Sequence, residues 1–432
     1  MSALTLLVLV YLAGVLWFGL SGAKHAENSR TFLTNGGTTG VLFCALSLVS
    51  TILGGSATLG MGSLAQKTGT AAFWWLGVGA VGLLLHGLIA APKIRALPAV
   101  TLPEVAGFFA GRWAEKWSGA IIAVSWIGVT AAQFVALHVL LTTLASPTVA
   151  EVLYVLIAAA VLLHTALGGQ SGVIRTDAVQ AVLLIGGFSA AAFWLIFTEP
   201  DKVAALDWVP FNDRFGMSDW IRLMCLVGIT YIVGPDMFSR SFSAKDGATA
   251  RHAAWCAAPC LVWFGIVITL LAMLNLDDKQ PVAGWLSEGA AMPVWLKAAI
   301  ALGLISALCG TIDTVLLSAS GIVERNLRGG DSTKGVRLLV TLFGIGCAAA
   351  VYVSGDIIKL LLTAYSFYVP GVAVPLFVAL LGRAAPVNSR LWLAGAVLGG
   401  IAGLTGSLTG ESTWTMVGIA AAAVLALLSL RR

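Results

Sequence analysis

The fold is decided by an apolar segment near residues 38–64 that is interrupted by the sequence STILGGSATLGMG at residues 50–62. A second apolar segment is interrupted in the same way by GITYIVGPD at residues 228–236. Glycine and proline break such helices and leave backbone groups unpaired at membrane depth, which is tolerated only where they line a cavity. Corresponding breaks in two halves of a chain are the sequence pattern of a transporter binding site.

The composition around these two segments is that of a polytopic membrane protein. Of the 432 residues, 59% are hydrophobic and only 10% are charged, whereas soluble domains carry about 25% charged residues. Apolar stretches long enough to span a bilayer lie near residues 3–20, 38–64, 70–91, 114–145, 149–167, 174–198, 218–238, 247–275, 295–320, 335–354, 357–382, 389–408 and 413–430. We therefore expect an all-α fold of about 13 transmembrane helices, in one membrane domain over residues 1–432.

The distribution of Lys and Arg predicts the orientation of the chain. With an odd number of spans, the termini lie on opposite sides of the membrane. An outer N-terminus places 18 Lys and Arg residues in cytoplasmic loops and 7 in outer loops. Because basic loops stay in the cytoplasm, we expect a plasma or inner membrane protein with its C-terminus in the cytoplasm. No Lys or Arg precedes the first stretch, which favours a span over a cleaved signal peptide.

Several other classes of function find no support in the sequence. The net charge of +5 is spread over many short loops, so no nucleic-acid partner is expected. The five histidines lack metal-ligand spacing, and the chain has no glycine-rich phosphate loop. The six cysteines lie mostly inside apolar helices and indicate small buried side chains rather than disulfides.

Two carboxylates enter apolar helices and are candidate functional groups. Asp177 lies in GGQSGVIRTDAVQ at residues 168–180, and Asp313 lies in SALCGTIDTVLLS at residues 306–318. A charge inside a membrane helix costs roughly 2.5–3.5 kcal/mol on insertion scales, so it indicates a functional site. The flanking sequences do not resemble those of intramembrane aspartyl proteases, in which two carboxylates activate water, and we do not expect an enzyme.

Small and hydroxyl residues accompany Asp313 along one face of its helix. They recur at helical spacing, at Ala307, Gly310, Thr311, Thr314 and Ser318. Hydroxyl, carbonyl and carboxylate oxygens are the ligands that a hard cation such as Na+ prefers. The stripe therefore predicts a cation site.

Together, these segments resemble the sodium/solute symporter family, and within it the proline-transporter-like branch. The stretch at residues 168–180 is similar to the start of helix 5 in that family, with Arg175 where Trp is usual. The pattern GxxYxxGPDxxxR at residues 228–240 resembles the exit of helix 6, with Asp236 where His is typical. The stripe around Asp313 is similar to helix 8, with Gly310 in place of the first hydroxyl.

The resemblance covers residues 40–380 and implies a LeuT-type core that works by alternating access. Such a core is an inverted five-plus-five helix repeat, here expected at residues 38–198 and 218–382. One extra helix would precede it at residues 3–20, and two would follow it at residues 389–430.

The resemblance also implies two cation sites. The main sodium site would use the carbonyls of Ser50, Leu53 and Ala307 and the hydroxyl of Thr311, while Gly310 lacks the usual hydroxyl. A second site, for Na+ or a proton, would be formed by Asp177, Asp313 and Thr314. Two carboxylates in a low-dielectric pocket cannot both stay ionised without a cation. Na+ is therefore the expected coupling ion, with H+ as the alternative.

The substrate pocket is expected between the two broken helices, helix 3 and helix 10. Its predicted residues are Gly54, Gly55, Ser56, Ala57, Gln133, Thr230, Tyr231 and Tyr365. A hexose is not expected, because the helix that starts at residues 73–77 offers few polar groups. Free amides at the first break suit a carboxylate, so a small amino acid or a monocarboxylate is the first choice, with pantothenate, nucleobases and organic amines as alternatives.

The expected function is sodium-coupled symport of a small-molecule substrate by a monomer in the lipid bilayer. A proton-coupled symporter of the same fold is the first alternative. A channel or sensor without coupled transport is the second.

Overall fold

A computed structural model describes residues 3–21, 28–275, 281–287, 289–352, 357–382 and 386–431. The first half of the chain contains α1 (Ala3–Leu20), α2 (Ser29–Thr34), α3 (Val41–Ile52), α4 (Met61–Thr68), α5 (Trp74–Leu85), α6 (Ala91–Arg95), α7 (Leu102–Ala110), α8 (Arg112–Leu144), α9 (Pro147–Thr198) and α10 (Pro200–Ala204). The second half contains α11 (Met217–Leu223), α12 (Ile229–Ile232), α13 (Pro235–Ser243), α14 (Gly247–Met273), α15 (Val294–Ile322), α16 (Thr333–Ala349), α17 (Ile357–Tyr368), α18 (Val374–Leu381), α19 (Ser389–Thr409) and α20 (Ser412–Ser429).

The all-α membrane fold is confirmed, but the count of 13 spans is not. Ten helices in the described part of the chain are long and apolar enough to cross a membrane. The predicted spans at 149–167 and 174–198 are the two parts of α9, which a kink at Gly169 divides. The N-terminal stretch forms α1 at the predicted bounds, and the apolar helix α3 ends after 12 residues. The chain is an integral membrane protein whose apolar segments are helical where the sequence predicts them.

Both predicted helix breaks are present. The helix of α3 stops at Leu53, whose backbone angles of φ −82° and ψ 47° are not helical, and it resumes at Ser56. In the second half, α12 ends before Val233 (φ −129°, ψ 81°), and α13 begins with a proline in its first turn. Proline suits the first turn of a helix because the missing amide would have no partner there.

The two broken helices lie side by side and run in opposite directions. The amide of Thr39, just before α3, donates to the carbonyl of Ser243 at 2.9 Å. The amide of Lys245, just after α13, donates to the carbonyl of Thr39 at 3.1 Å. The start of the first broken helix therefore meets the end of the second.

A kink at Gly169 divides α9 and directs its second half toward α3 and α15. Gly169 has φ 55° and ψ −156°, a left-handed conformation that favours glycine. A side chain at this position would also come within 2.6 Å of the ring of Phe32. Backbone geometry and packing both require glycine here, and the half that follows carries Asp177.

Candidate functional site

The predicted main sodium site lies where α15 meets the break that follows α3. The hydroxyl of Thr311 lies 2.9 Å from the carbonyl of Thr51 and 3.0 Å from the carbonyl of Ala307. A side chain at Gly54 would overlap the Thr311 hydroxyl and lie 2.8 Å from Oε1 of Gln133, so glycine permits this close approach. The structure thus brings Thr311 and Ala307 to the break. Thr51, which was not among the predicted site residues, supplies the carbonyl that the Thr311 hydroxyl contacts.

Three oxygen atoms converge on Gly310, the position at which the family resemblance implies a hydroxyl. A Cβ atom at this position would lie 2.7 Å from Oε1 of Gln180 and 3.0 Å from Oδ1 of Asp177, and it would overlap the hydroxyl of Ser50. Among the described residues, Oδ1 of Asp177 has no hydrogen-bond partner. Carboxylate, amide and hydroxyl oxygens suit a hard cation. Asp177, a residue of the predicted second cation site, therefore also lies beside the predicted main site.

The other carboxylate oxygen of Asp177 is held by Arg240 of α13. Nη2 of Arg240 lies 2.8 Å from Oδ2 of Asp177, and the hydroxyl of Ser47 donates to the same oxygen at 2.5 Å. The same Nη2 donates to the hydroxyls of Thr51 at 2.7 Å and Thr314 at 2.5 Å. Arg240 is 1% exposed. A guanidinium from the chain itself therefore lies beside the predicted second cation site.

Asp313 was predicted to form the second cation site with Asp177, but its carboxylate faces a different neighbour from that of Asp177. Its Oδ2 lies 3.6 Å from Nδ1 of His164, and its Oδ1 lies 3.4 Å from the hydroxyl of Thr314. His164 in turn contacts the hydroxyl of Thr176 at 3.3 Å through Nε2. Thr314 is therefore the residue that connects Asp313 to the contact between Arg240 and Asp177.

A central cavity lies between the two broken helices, α8 and α17. Six of the predicted substrate residues line it: Gly54, Ser56, Gln133, Thr230, Tyr231 and Tyr365. Gly55 and Ala57 belong to the same turn but lie outside this lining, and the amide of Gly55 donates to Oε1 of Gln133 at 2.7 Å. One of the backbone amides that were expected to bind a substrate carboxylate is thus already hydrogen-bonded within the protein.

A larger cavity of about 480 Å³, which we call the vestibule, is lined by Lys67, Trp75, Arg214, Asp219, Arg222, Ser366 and Thr415, among others. Its wall also includes Leu362. Leu362 and Ser366 directly follow Leu361 and Tyr365 of the central cavity in the sequence. The vestibule is therefore adjacent to the central cavity.

Arg325, just after α15, lies at the start of α2, the helix that precedes α3. Its Nε lies 2.8 Å from Oε1 of Glu104, and its Nη1 lies 2.5 Å from Oδ1 of Asp331 and 2.9 Å from the hydroxyl of Ser29. Ser29 precedes α3, whereas Lys67 of the vestibule lies in the last turn of α4. The ion pairs and the vestibule thus flank the central cavity along the first broken helix.

Sequence reasoning missed several residues of this site, above all Arg240, His164, Gln180 and the Asp236–Trp126 pair. Nε1 of Trp126 donates to Oδ1 of Asp236 at 2.7 Å, beside the central cavity. A count of intramembrane charges would have pointed to Arg240, because an isolated Arg in an apolar region needs a carboxylate partner.

Comparisons with known proteins agree with this geometry. A model of the sodium:solute symporter family matches residues 32–200, while no curated protein matches. Among solved structures, the chain is similar to a substrate-bound, outward-open Na+-coupled sialic acid symporter. The TM-score is 0.79 at 14% identity, covering 100% of this chain and 97% of that chain.

Two further solved structures are similar at lower scores. One is Mhp1, a nucleobase-cation-symport-1 family transporter in a closed conformation (TM-score 0.60, 13% identity, 92% of this chain and 93% of that chain). The other is MhsT in complex with L-phenylalanine (TM-score 0.62, 12% identity, 90% and 96%).

The two broken helices and the cavity between them give the chain a LeuT-type membrane fold, as the sequence predicted. The family model that matches is one of symporters, and the two similar structures named first are of a symporter and a transporter. The resemblance to the sodium:solute symporter family that the motifs predicted is confirmed by the match over residues 32–200.

Proposed function

We propose that the chain is a sodium-coupled symporter that moves a small organic solute, an amino acid or a monocarboxylate, by alternating access. The observation that carries this proposal is the position of Thr311. Its hydroxyl lies 2.9 Å from the carbonyl of Thr51 at the break of the first helix. A Na+ ion bound by these oxygens and by the carbonyls of Ser50, Leu53 and Ala307 would join α3 to α15.

The ion site and the central cavity share walls, which gives a physical basis for coupling. Thr51, Gly54 and Thr311 line the central cavity and also surround the proposed ion site. An ion that fixes these residues also fixes the cavity wall that the solute would contact. By linkage, the solute then increases the affinity for the ion by the same factor.

The proposed second cation site consists of Asp177, Asp313 and Thr314. Arg240 supplies one positive charge against the two carboxylates, so one further charge is needed for neutrality. Na+ beside the unpartnered Oδ1 of Asp177 would supply it. A proton between Asp313 and His164, whose side chains are both 1% exposed, would supply this positive charge instead. That arrangement would favour the proton-coupled alternative.

Alternating access would use the two ends of the first broken helix. The vestibule gives the solute a route to the central cavity from one side, while the ion pairs of Arg325 hold the other side closed. The basic-loop distribution supports an orientation with the vestibule outside the cell and Arg325 in the cytoplasm. The observed arrangement would then be outward-facing, with the N-terminus outside and the C-terminus inside.

We also propose that residues 38–198 and 218–382 are the two inverted repeats and that one chain is the transport unit in the plasma or inner membrane. The opposed directions of α3 and α13 support the repeat assignment. The central cavity lies within a single chain, which supports a functional monomer.

A thermal-shift screen tests the proposed function. Purified protein in detergent is mixed with amino acids, monocarboxylates, amines, nucleobases and pantothenate, once in NaCl and once in KCl. Because the linkage between solute and ion is reciprocal, a solute should stabilise the protein more in NaCl. Equal stabilisation in both salts, with a response to pH instead, would favour proton coupling.

A further inference from the structure

A carboxylate that neither proposed cation site uses faces the central cavity. Asp236 is the second residue of α13, directly after the second helix break, and it lines the cavity together with Tyr231 and Tyr365. Nε1 of Trp126 donates to its Oδ1 at 2.7 Å. The side chain is therefore fixed at one oxygen and reachable from the cavity.

Arg240, one turn further along α13, forms its ion pair with Asp177 rather than with Asp236. Its Nη2 is bonded to Asp177, Thr51 and Thr314, and its Nε donates to the hydroxyl of Ser47 at 2.9 Å. Within the described part of the chain, no ion pair includes Asp236. A carboxylate away from bulk water is costly unless a positive group pairs with it. The cavity therefore favours a solute that brings such a group.

Aromatic rings surround this carboxylate and suit the same kind of ligand. The ring of Trp126 packs edge-on against Tyr368, with 4.8 Å between the ring centroids. The hydroxyl of Tyr368 donates to the carbonyl of Val233 at 2.5 Å, which holds its ring beside the helix break. Tyr231 and Tyr365 face the cavity itself. Aromatic faces next to a carboxylate attract ammonium groups through both charge and ring quadrupole.

A solute that is only an anion fits this cavity poorly. Asp236 would repel a carboxylate, and one amide at the first break, that of Gly55, already donates to Gln133. Like charges placed together in a recognition site cost several kcal/mol and reject the wrong partner. The same cavity lining thus disfavours a bare monocarboxylate and favours an ammonium compound.

We propose that the transported solute carries an ammonium group and that Asp236 is the residue that selects it. The inference rests on the proposed transport function and narrows it from an amino acid or a monocarboxylate to amine-bearing solutes. Asp236 accepts hydrogen bonds from the ammonium through the oxygen that Trp126 does not hold, and the tyrosine rings flank the group.

Four probes of similar size, which differ in their charged groups, test this assignment. They are ethylammonium, alanine, propionamide and propionate, each added to the purified full-length protein in NaCl while its melting temperature is measured. Ethylammonium and alanine should stabilise the wild-type protein, whereas propionamide and propionate should not. Stabilisation by propionate, or a lack of response to both ammonium compounds, would overturn the assignment.

Three variants assign the selectivity to Asp236. Asp236→Asn keeps the shape and the oxygen that accepts from Trp126, and it should weaken the response to ammonium compounds at least about tenfold, since it removes the charge partner. Asp236→Glu should retain part of the response because it retains the charge. Asp201→Asn changes an exposed carboxylate of α10, outside both cavities, and should leave the response intact. An unchanged response in Asp236→Asn contradicts the proposal.

Stabilisation by Na+ separates this inference from the transport function on which it rests. Asp236 is not part of the proposed sodium sites, so Asp236→Asn should still melt at a higher temperature in NaCl than in KCl. If that difference persists while ammonium compounds are not preferred, only the ammonium assignment fails. If wild type and variant alike show no difference between the two salts, the sodium-coupled function fails.

Discussion

Nη2 of Arg240 lies 2.8 Å from Oδ2 of Asp177, and the two side chains are 1% and 0% exposed. The pair joins α13, the second half of the second broken helix, to α9. Its hydroxyl neighbours Thr51 and Thr314 belong to the first broken helix and to α15. A single guanidinium therefore links four elements, which would move relative to one another in the proposed alternating access.

Removing this guanidinium should destabilise the protein strongly. Arg240→Gln leaves the Asp177 carboxylate buried without its partner. The free energy of unfolding should fall by about 3–5 kcal/mol. Thermal unfolding in KCl measures it. The double variant Asp177→Asn with Arg240→Gln should recover much of the loss, since it removes the Asp177 charge together with its partner.

Arg240→Gln should also increase the stabilisation by Na+. The Asp177 carboxylate would then have only an external cation with which to pair, so the gap between melting temperatures in NaCl and KCl should widen. A gap that is the same as in the wild type would show that Na+ does not reach Asp177.

Thr311→Val should weaken Na+ binding without harming the fold. Valine has the shape of threonine but lacks the hydroxyl that lies 2.9 Å from the Thr51 carbonyl. Hydrogen bonds and contacts to charged groups are worth about 1.5–3 kcal/mol, so the Na+ concentration for half-maximal stabilisation should rise at least about tenfold. Ser318→Ala is the matched control: it removes a hydroxyl from the same predicted stripe but lies outside the ion site. Equal Na+ affinity in the two variants would contradict the site.

Gly310→Ser should impair the protein, although it adds the hydroxyl that the family resemblance implies at this position. The added side chain would lie 2.7 Å from Oε1 of Gln180 and 3.0 Å from Oδ1 of Asp177, and it would overlap the hydroxyl of Ser50. We expect lower stability and weaker stabilisation by Na+. Gly346→Ala, at a glycine with open space around it, should be neutral or slightly stabilising. A Gly310→Ser protein that binds Na+ more tightly would show that the pocket rearranges.

Arg325→Gln should open the end of the molecule that its ion pairs hold closed. The substitution removes the contacts to Glu104 and Asp331. A cysteine introduced by Ser318→Cys, in a background without the native cysteines, should then react faster with a thiol reagent applied from that side. Lys334→Gln removes an exposed charge on the same side and should leave the labelling rate unchanged. Equal rates in both variants would rule out the gating role.

The sequence was sufficient to predict features that depend on local chemistry. The two helix breaks follow from glycine and proline in apolar segments. The face that carries Ala307 and Thr311 follows from helical periodicity. Each of these features requires only neighbours within a turn or two of the chain.

Features that depend on the direction of long or adjacent side chains could not be predicted. Arg240 is 63 positions from Asp177 in the sequence, and only the packing of α13 against α3 and α9 aims it at the carboxylate. Asp313 and Thr314 are neighbours, yet successive helix residues point about 100° apart. Thr314 therefore contacts Arg240, while Asp313 faces His164.

Uptake into proteoliposomes tests the central claim most directly. The solute found by the thermal-shift screen is supplied outside, with an inward Na+ gradient, an inward K+ gradient or a pH gradient, to vesicles that hold the wild-type protein or Thr311→Val. The solute should accumulate above its outside concentration only with the Na+ gradient, and Thr311→Val should require a higher Na+ concentration for the same rate. Flux that is independent of all gradients, or accumulation driven by the pH gradient without Na+, would contradict sodium-coupled symport.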